Sequence, residues 1–107
     1  MIMISNRKVL KQIVKFGKKE YREKKPSSVK ILRIKDETIF IKGEPFKRVS
    51  IAKSSHPHYL VMVEYDKSFR IYFFSKNGVL LRGENFNKTA ALTHKIKKSA
   101  VKEYSIP

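Results

Sequence analysis

The side chains with the clearest chemical potential in this sequence are its lysines and arginines. Near the N-terminus, six of them recur at intervals of one, three or four residues: Arg7, Lys8, Lys11, Lys15, Lys18 and Lys19. Near the C-terminus a second series recurs at intervals of three, four or seven: Lys88, Lys95, Lys98 and Lys102. Residues three or four apart lie on one face of a helix, and cations on a rigid element can neutralise successive phosphates. Both series predict contacts with a phosphate backbone, and the alternative is a solvated helix face.

Positive charge dominates the whole composition. The 107 residues include 25 Lys or Arg and nine Asp or Glu, which gives a formal net charge of +16. Such an excess costs stability through self-repulsion, and a bound polyanion would relieve it. A Lys-rich thermophile protein usually balances its lysines with glutamates, and the sequence shows no amphipathic helix with large exposed aromatics that would favour a membrane surface. The composition therefore predicts a nucleic-acid partner, DNA or RNA, and no membrane.

Aromatic residues in the predicted strands offer a second kind of contact with nucleic acid. Alternation along residues 69–74 places Arg70, Tyr72 and Phe74 on one face of a strand. Outward-facing rings can stack unpaired bases, so we predict that Tyr72 and Phe74 could stack bases beside Arg70. The alternative is that these rings belong to the core.

Residues suited to other chemistry are few. His56 and His58 have no Cys or nearby Asp, which makes them a weak metal signal, and His94 could act as a general acid or base near a phosphate. The chain has no Cys, and we find no paired carboxylates, Gly-rich phosphate loop or nucleophile elbow. We predict no metal and no cofactor. A nuclease of this composition would have to be metal-independent, with Arg and Lys stabilising the charged phosphate.

The hydrophobic pattern predicts a helix at each end of the chain to position these cations. Ser5 or Asn6 can cap the first, which reaches about Arg22, and residues 24–28 then break it. Asn87 or Thr89 can cap the second, which reaches about Tyr104 and carries the second lysine series. Its predicted inner face has helical spacing: Leu92, Ile96, Ala100 and Tyr104.

Between the helices the apolar period becomes that of strands. We predict strands at residues 29–35, 38–42, 46–52, 59–65, 69–74 and 79–82. Asn77-Gly78 is a strong hairpin signal, and residues 83–85 are predicted to leave the sheet. Residues 59–65 and 69–74 are apolar on both faces, which places them centrally under a helix. The chain is therefore predicted to be one α+β domain, residues 1–107, with an antiparallel meander of five to six strands and an N-terminal and a C-terminal helix.

Residues 69–89 read FRIYFFSKNGVLLRGENFNKT, a stretch that resembles the closing hairpin of the RelE/HigB toxin superfamily. Members often carry an aromatic-Arg-hydrophobic strand, a turn, a Leu-Leu strand, and then Phe and Lys-Thr before a terminal helix. They are ribonucleases that cut messenger RNA, generally on the ribosome, and are neutralised by an antitoxin. The resemblance implies that Arg70 contacts the scissile phosphate, with Arg82 and Lys88 as further catalytic residues. Members of this superfamily usually begin with two helices, whereas the pattern of this sequence predicts one helix followed by extra strands.

Three functions remain open from the sequence. The first is a non-enzymatic nucleic-acid-binding protein whose contacts are mostly to phosphate and therefore weakly sequence-specific. The second is a metal-independent ribonuclease of the toxin type, and the third is a cationic protein that docks an acidic partner such as an antitoxin. The binding residues would be the two lysine series with Arg70 and Arg82. The N-terminus lacks the apolar segment of a signal peptide, so we expect a cytoplasmic location.

Overall fold

The computed structural model describes residues 2–34, 58–90, 93, 94, 96 and 100–106, with side chains from Arg7 onward except at residue 101. These residues form one long helix and five strands: α1 (Ile2–Lys24), β1 (Ser28–Ile34), β2 (Tyr59–Glu64), β3 (Ser68–Phe74), β4 (Leu80–Asn87) and β5 (Ala100–Ile106). The strands make one antiparallel sheet in the order β4-β3-β2-β1-β5. The prediction of an α+β protein with an antiparallel sheet is confirmed.

Helix α1 matches the predicted N-terminal helix, although it begins three residues earlier than Ser5. It ends where Lys25 takes a left-handed backbone conformation with φ of 47°. The Lys25 amide donates to the Tyr21 carbonyl over 3.1 Å, which satisfies one of the carbonyls that a helix C-terminus leaves unpaired. Pro26 then prevents the helix from continuing, and the chain turns directly into β1.

The sheet is apolar on both faces, because successive residues of a strand point to opposite sides. The helix face lies under α1 and packs against Val9 and Ile13. Its buried strand residues are Val29, Ile31, Tyr59, Val61, Val63, Tyr72, Phe74 and Ile106. The opposite face is equally buried, by Leu32, Ile34, Leu60, Met62, Phe69, Ile71, Phe73 and Phe86, with Ile96 packed on it. The central position predicted for residues 59–65 is confirmed, because β2 is the middle strand.

The loop between β3 and β4 uses the Asn-Gly pair within a five-residue turn, Ser75 to Val79. Gly78 takes the left-handed conformation there, with φ of 80°, which costs glycine little because it has no Cβ. The Ser75 hydroxyl accepts bonds from the amides of Asn77 and Val79. The prediction that residues 83–85 leave the sheet is wrong. They remain in β4 opposite residues 70–72, where they satisfy the backbone groups of β3.

The prediction of a final helix reaching Tyr104 is wrong for residues 100–104, which lie in β5. This strand pairs with β1, placing Lys102 opposite Arg33 and Tyr104 opposite Ile31. Without that pairing the outer edge of β1 would lack partners for its amides and carbonyls, and no local pattern could reveal that need. Helical backbone is described at residues 90, 93, 94 and 96.

Several predicted features lie outside the described residues. They are the strands at 38–42 and 46–52, His56, Leu92, Lys95 and Lys98. Within the described part of the chain, no helix has the length and apolar character needed to cross a bilayer.

The packing of α1 on the sheet can be tested at Ile13, which is only 1% exposed. We expect Ile13→Ala to lower the free energy of unfolding by about 2–5 kcal/mol, because it leaves a cavity between helix and sheet. Urea denaturation followed by circular dichroism measures this loss. Gln12→Ala, an exposed position on the same helix turn, is the matched control, and equal stabilities of the two variants would contradict the described packing.

Candidate nucleic-acid interface

Helix α1 presents its cations on the side turned away from the sheet. At about 100° per residue, seven of them fall within an arc of about 120°, here called the cationic stripe: Arg7, Lys8, Lys11, Lys15, Lys18, Lys19 and Arg22. All seven residues are exposed. The centre of the arc is about 180° from Ile13, which points into the core. The apolar side of the helix therefore directs the stripe outward.

The cationic stripe contains no acid. Glu23 falls outside the arc, and Glu20 lies on the buried side of the helix at 7% exposure. Among the described residues, no member of the stripe forms an ion pair. The six cations predicted near the N-terminus are thus brought together on one face. Arg22 was not predicted, although its helical spacing from Lys18 and Lys15 could have identified it.

A polar cluster, in which Tyr72 and Glu20 are buried and Lys24 is exposed, holds the C-terminal half of α1 to β3. The Tyr72 hydroxyl donates to Glu20 Oε1 over 2.6 Å. Lys24 Nζ lies 3.0 Å from the same carboxylate oxygen and donates to the Tyr72 hydroxyl over 3.0 Å. The bond to Tyr72, followed by the bond to Glu20, raises the pKa of Lys24 above its ordinary value. The cluster thereby removes Glu20 from the surface on which the stripe lies.

The aromatic residues predicted to stack bases belong to the core. Tyr72 is 7% and Phe74 4% exposed, because α1 covers them. The Phe16 ring meets both edge-on, with centroid distances of 4.8 Å and 5.2 Å. The alternation predicted for β3 is confirmed, but base stacking on Tyr72 and Phe74 is excluded by this packing.

Arg70 lies on the helix face at the edge of this aromatic group. Its guanidinium carbon is 5.0 Å from the centroid of the Tyr72 ring, and its Nη1 donates to Asn85 Oδ1 over 3.0 Å. Gly83 makes room for it, since a Cβ there would lie 3.0 Å from both Arg70 Nη2 and Tyr72 Cδ1. The guanidinium is therefore held in a defined position beside α1.

In the described strands the acids all lie on one face of the sheet, whereas cations lie on both faces. Register places three cations on the helix face: Arg33 opposite Tyr59, Arg70 opposite Val63, and Lys102 opposite Arg33.

The acids of the described strands lie on the other face: Glu64 opposite Phe69, Glu84 opposite Ile71, and Glu103 opposite Leu32. The side of the sheet that carries α1 is consequently cationic. Arg33 was not predicted as a site residue, because its face depends on pairing with distant strands.

The cations of the opposite face are engaged by these acids. Lys88 Nζ lies 3.2 Å from Glu64 Oε2, and Lys30 Nζ lies 3.5 Å from Glu64 Oε1. Arg82 pairs with Glu84. Burial by itself would raise the pKa of Glu64, but the hydrogen bonds from Lys88 and Ser28 and the charge of Lys30 hold it below its ordinary value of 4.5.

The three residues that the toxin resemblance made catalytic do not share a site. Arg70 lies on the helix face, whereas Arg82 is opposite Phe73 with its guanidinium carbon 5.9 Å from that ring on the other face. Lys88 follows β4 and donates to the Tyr65 carbonyl over 3.3 Å. The second lysine series is also divided, because Lys88 lies next to Glu64 and Lys102 lies in β5.

Comparisons of the chain with protein-family models, with curated proteins and with solved structures find no match.

The ion pairs of the opposite face predict a specific dependence of stability on pH. Because the folded-state pKa of Glu64 is lowered, its contribution is present above about pH 4.5 and is lost as pH falls through the folded-state pKa. We expect the native protein to be more stable than Glu64→Gln at pH 7, and the difference to shrink towards pH 3. Urea titrations across this range measure both proteins, and a difference that is constant with pH would contradict the assignment.

Proposed function

We propose that this protein binds nucleic acid through the cationic stripe of α1, mainly by contacts to phosphate. The observation that carries the proposal is the arrangement itself: seven exposed cations on one rigid helix, with no acid among them. From Arg7 to Arg22 the stripe extends about 22 Å. This is roughly one positive charge per 3 Å, close to the charge spacing of one strand of duplex DNA.

A helix face that only contacts solvent would be expected to carry charges of both signs. Surface helices usually mix signs, since a Glu and a Lys four residues apart stabilise a helix and like charges at that spacing destabilise it. In α1 the acids are displaced from the stripe, one of them into the core. Repulsion within the stripe therefore lowers the stability of the isolated protein, and bound phosphate groups would relieve that repulsion.

The cations of the helix face of the sheet extend the same surface. Arg70 of β3 lies on one side of α1, Lys102 of β5 lies on the other, and Arg33 of β1 is opposite Lys102. Contacts of this kind fix position on a nucleic acid without reading its sequence, so binding should be weakly sequence-specific. The ribonuclease and acidic-protein alternatives remain distinct outcomes of the same experiments.

Salt dependence tests the proposal quantitatively. Seven phosphate contacts predict a slope of about −6 for log K against log salt on duplex DNA, or about −5 on a single strand. Between 50 and 200 mM salt, affinity for a duplex should fall by about 10³- to 10⁴-fold. Fluorescence anisotropy with labelled oligonucleotides measures the slope, and a flat dependence would overturn the proposal.

Neutralising part of the stripe should weaken binding more than neutralising other surface cations. We expect Lys11→Gln/Lys18→Gln to reduce the slope by about 2 and to weaken binding roughly 10- to 60-fold at 0.1 M salt, because two counterion-releasing contacts are lost. Lys67→Gln/Lys76→Gln, in exposed turns of the sheet, makes the same change in net charge and is the control. Equal effects of the two variants would show that total charge, not the stripe, determines binding.

The same mixtures, incubated with RNA in the presence of EDTA and resolved on a denaturing gel, separate binding from cleavage. Under the proposal RNA stays intact. Cleavage that persists in EDTA and is lost in Arg70→Ala would favour the ribonuclease alternative. If the protein binds no nucleic acid at low salt but retains an acidic protein, the docking alternative would replace the proposal.

A further inference from the structure

We infer that the ligand of the cationic stripe is the major groove of B-form duplex DNA, with α1 in the groove and Arg70 and Lys102 on the phosphates of the two flanking strands. This inference rests on the proposed function and narrows it to one class of nucleic acid.

The dimensions and the orientation of α1 suit such a groove. A helix with its side chains is about 10–12 Å across, and the major groove of B-DNA is about 12 Å wide and 8.5 Å deep. The stripe is directed away from the sheet, so the sheet does not obstruct entry of this half of the helix. The major groove of A-form RNA is too narrow for side chains to read.

Cations lie on both sides of α1, as the two phosphate ridges of a groove require. Phe16 packs on Tyr72 of β3, and Gly17 lies against Ile106 of β5, so the helix runs between these strands. Arg70 and Lys102 belong to the same two strands. Three strand spacings separate β3 from β5, or about 14 Å across the strands, which is close to the width of the groove. Along the strands the two cations are offset by four residues, because Arg70 is level with Val29 and Lys102 is opposite Arg33. A single strand would offer one line of phosphates and leave one of these flanks unused.

The low exposure of the described aromatic residues also favours a duplex over a single strand. Proteins that bind single strands stack successive bases on exposed rings. In the described part of the chain, Tyr21 is the one aromatic residue among the exposed large hydrophobics, at 36%. One ring of this exposure is no platform for successive bases, whereas a duplex keeps its bases paired and presents phosphate.

The test compares three ligands of one sequence: a 20-base-pair DNA duplex, the RNA duplex and the single DNA strand. We expect the DNA duplex to bind at least tenfold more tightly than either of the others at equal salt. The C5 position of pyrimidines faces the major groove, so bulky C5 substituents should weaken binding at least tenfold. Netropsin, which occupies the minor groove, should leave the affinity unchanged.

A substitution at Lys102 tests the phosphate contact that the sheet is inferred to make. Lys102→Gln should lower the salt slope on duplex DNA by about 1 and weaken binding several-fold, because one phosphate contact is lost. On the single strand the same substitution should weaken binding less than on the duplex, because one line of phosphates does not need both flanks. Lys76→Gln, in the β3–β4 turn, is the control and should change neither affinity, and melting curves verify that both variants are folded.

The outcomes separate this inference from the proposed function. Equal binding of the three ligands, insensitivity to C5 substituents or competition by netropsin would overturn the groove inference. The proposed function would survive if the Lys11→Gln/Lys18→Gln variant still lost affinity. If no ligand binds at low salt, both fail.

Discussion

The arrangement of charge in this protein depends on one contact, the packing of the apolar side of α1 on the helix face of the sheet. Val9 and Ile13 fill the centre of that contact, and the cluster of Tyr72, Glu20 and Lys24 holds its C-terminal end. Since a helix has fixed angular spacing, burying one side determines where the opposite side points. The cationic stripe is therefore positioned by apolar packing on the other side of the same helix.

The same packing gives the acids of α1 and the strands separate roles. Glu20 accepts a buried hydrogen bond from the Tyr72 hydroxyl. Glu64, Glu84 and Glu103 lie on the opposite face of the sheet. There they compensate nearby cations such as Lys30, Arg82 and Lys88. Within the described residues, the positive charge that no acid compensates is therefore concentrated on the side of α1, where it can act jointly on a polyanion.

Much of the local structure was predictable from the sequence, because its causes are local. The helical period of Val9 and Ile13 predicted α1, and the continuous apolar segments predicted β2 and β3 on both of their faces. The failures involve partners that are distant in sequence. Residues 100–104 carry a helical pattern, but the unpaired edge of β1 stabilises them as a strand. Tyr72 and Phe74 share a face with Arg70, and the pattern could not show that α1 covers it.

The excess of cations and their helical spacing from Arg7 to Lys19 can be read from the sequence alone, because both follow from composition and from the geometry of one element. Which other cations join them depends on how the chain folds. Arg33, Arg70 and Lys102 come to the side of α1 through strand register, while Arg82 and Lys88 are drawn to acids on the far face. Register depends on backbone pairing between strands far apart in the chain, and this pairing defines the surface around the stripe.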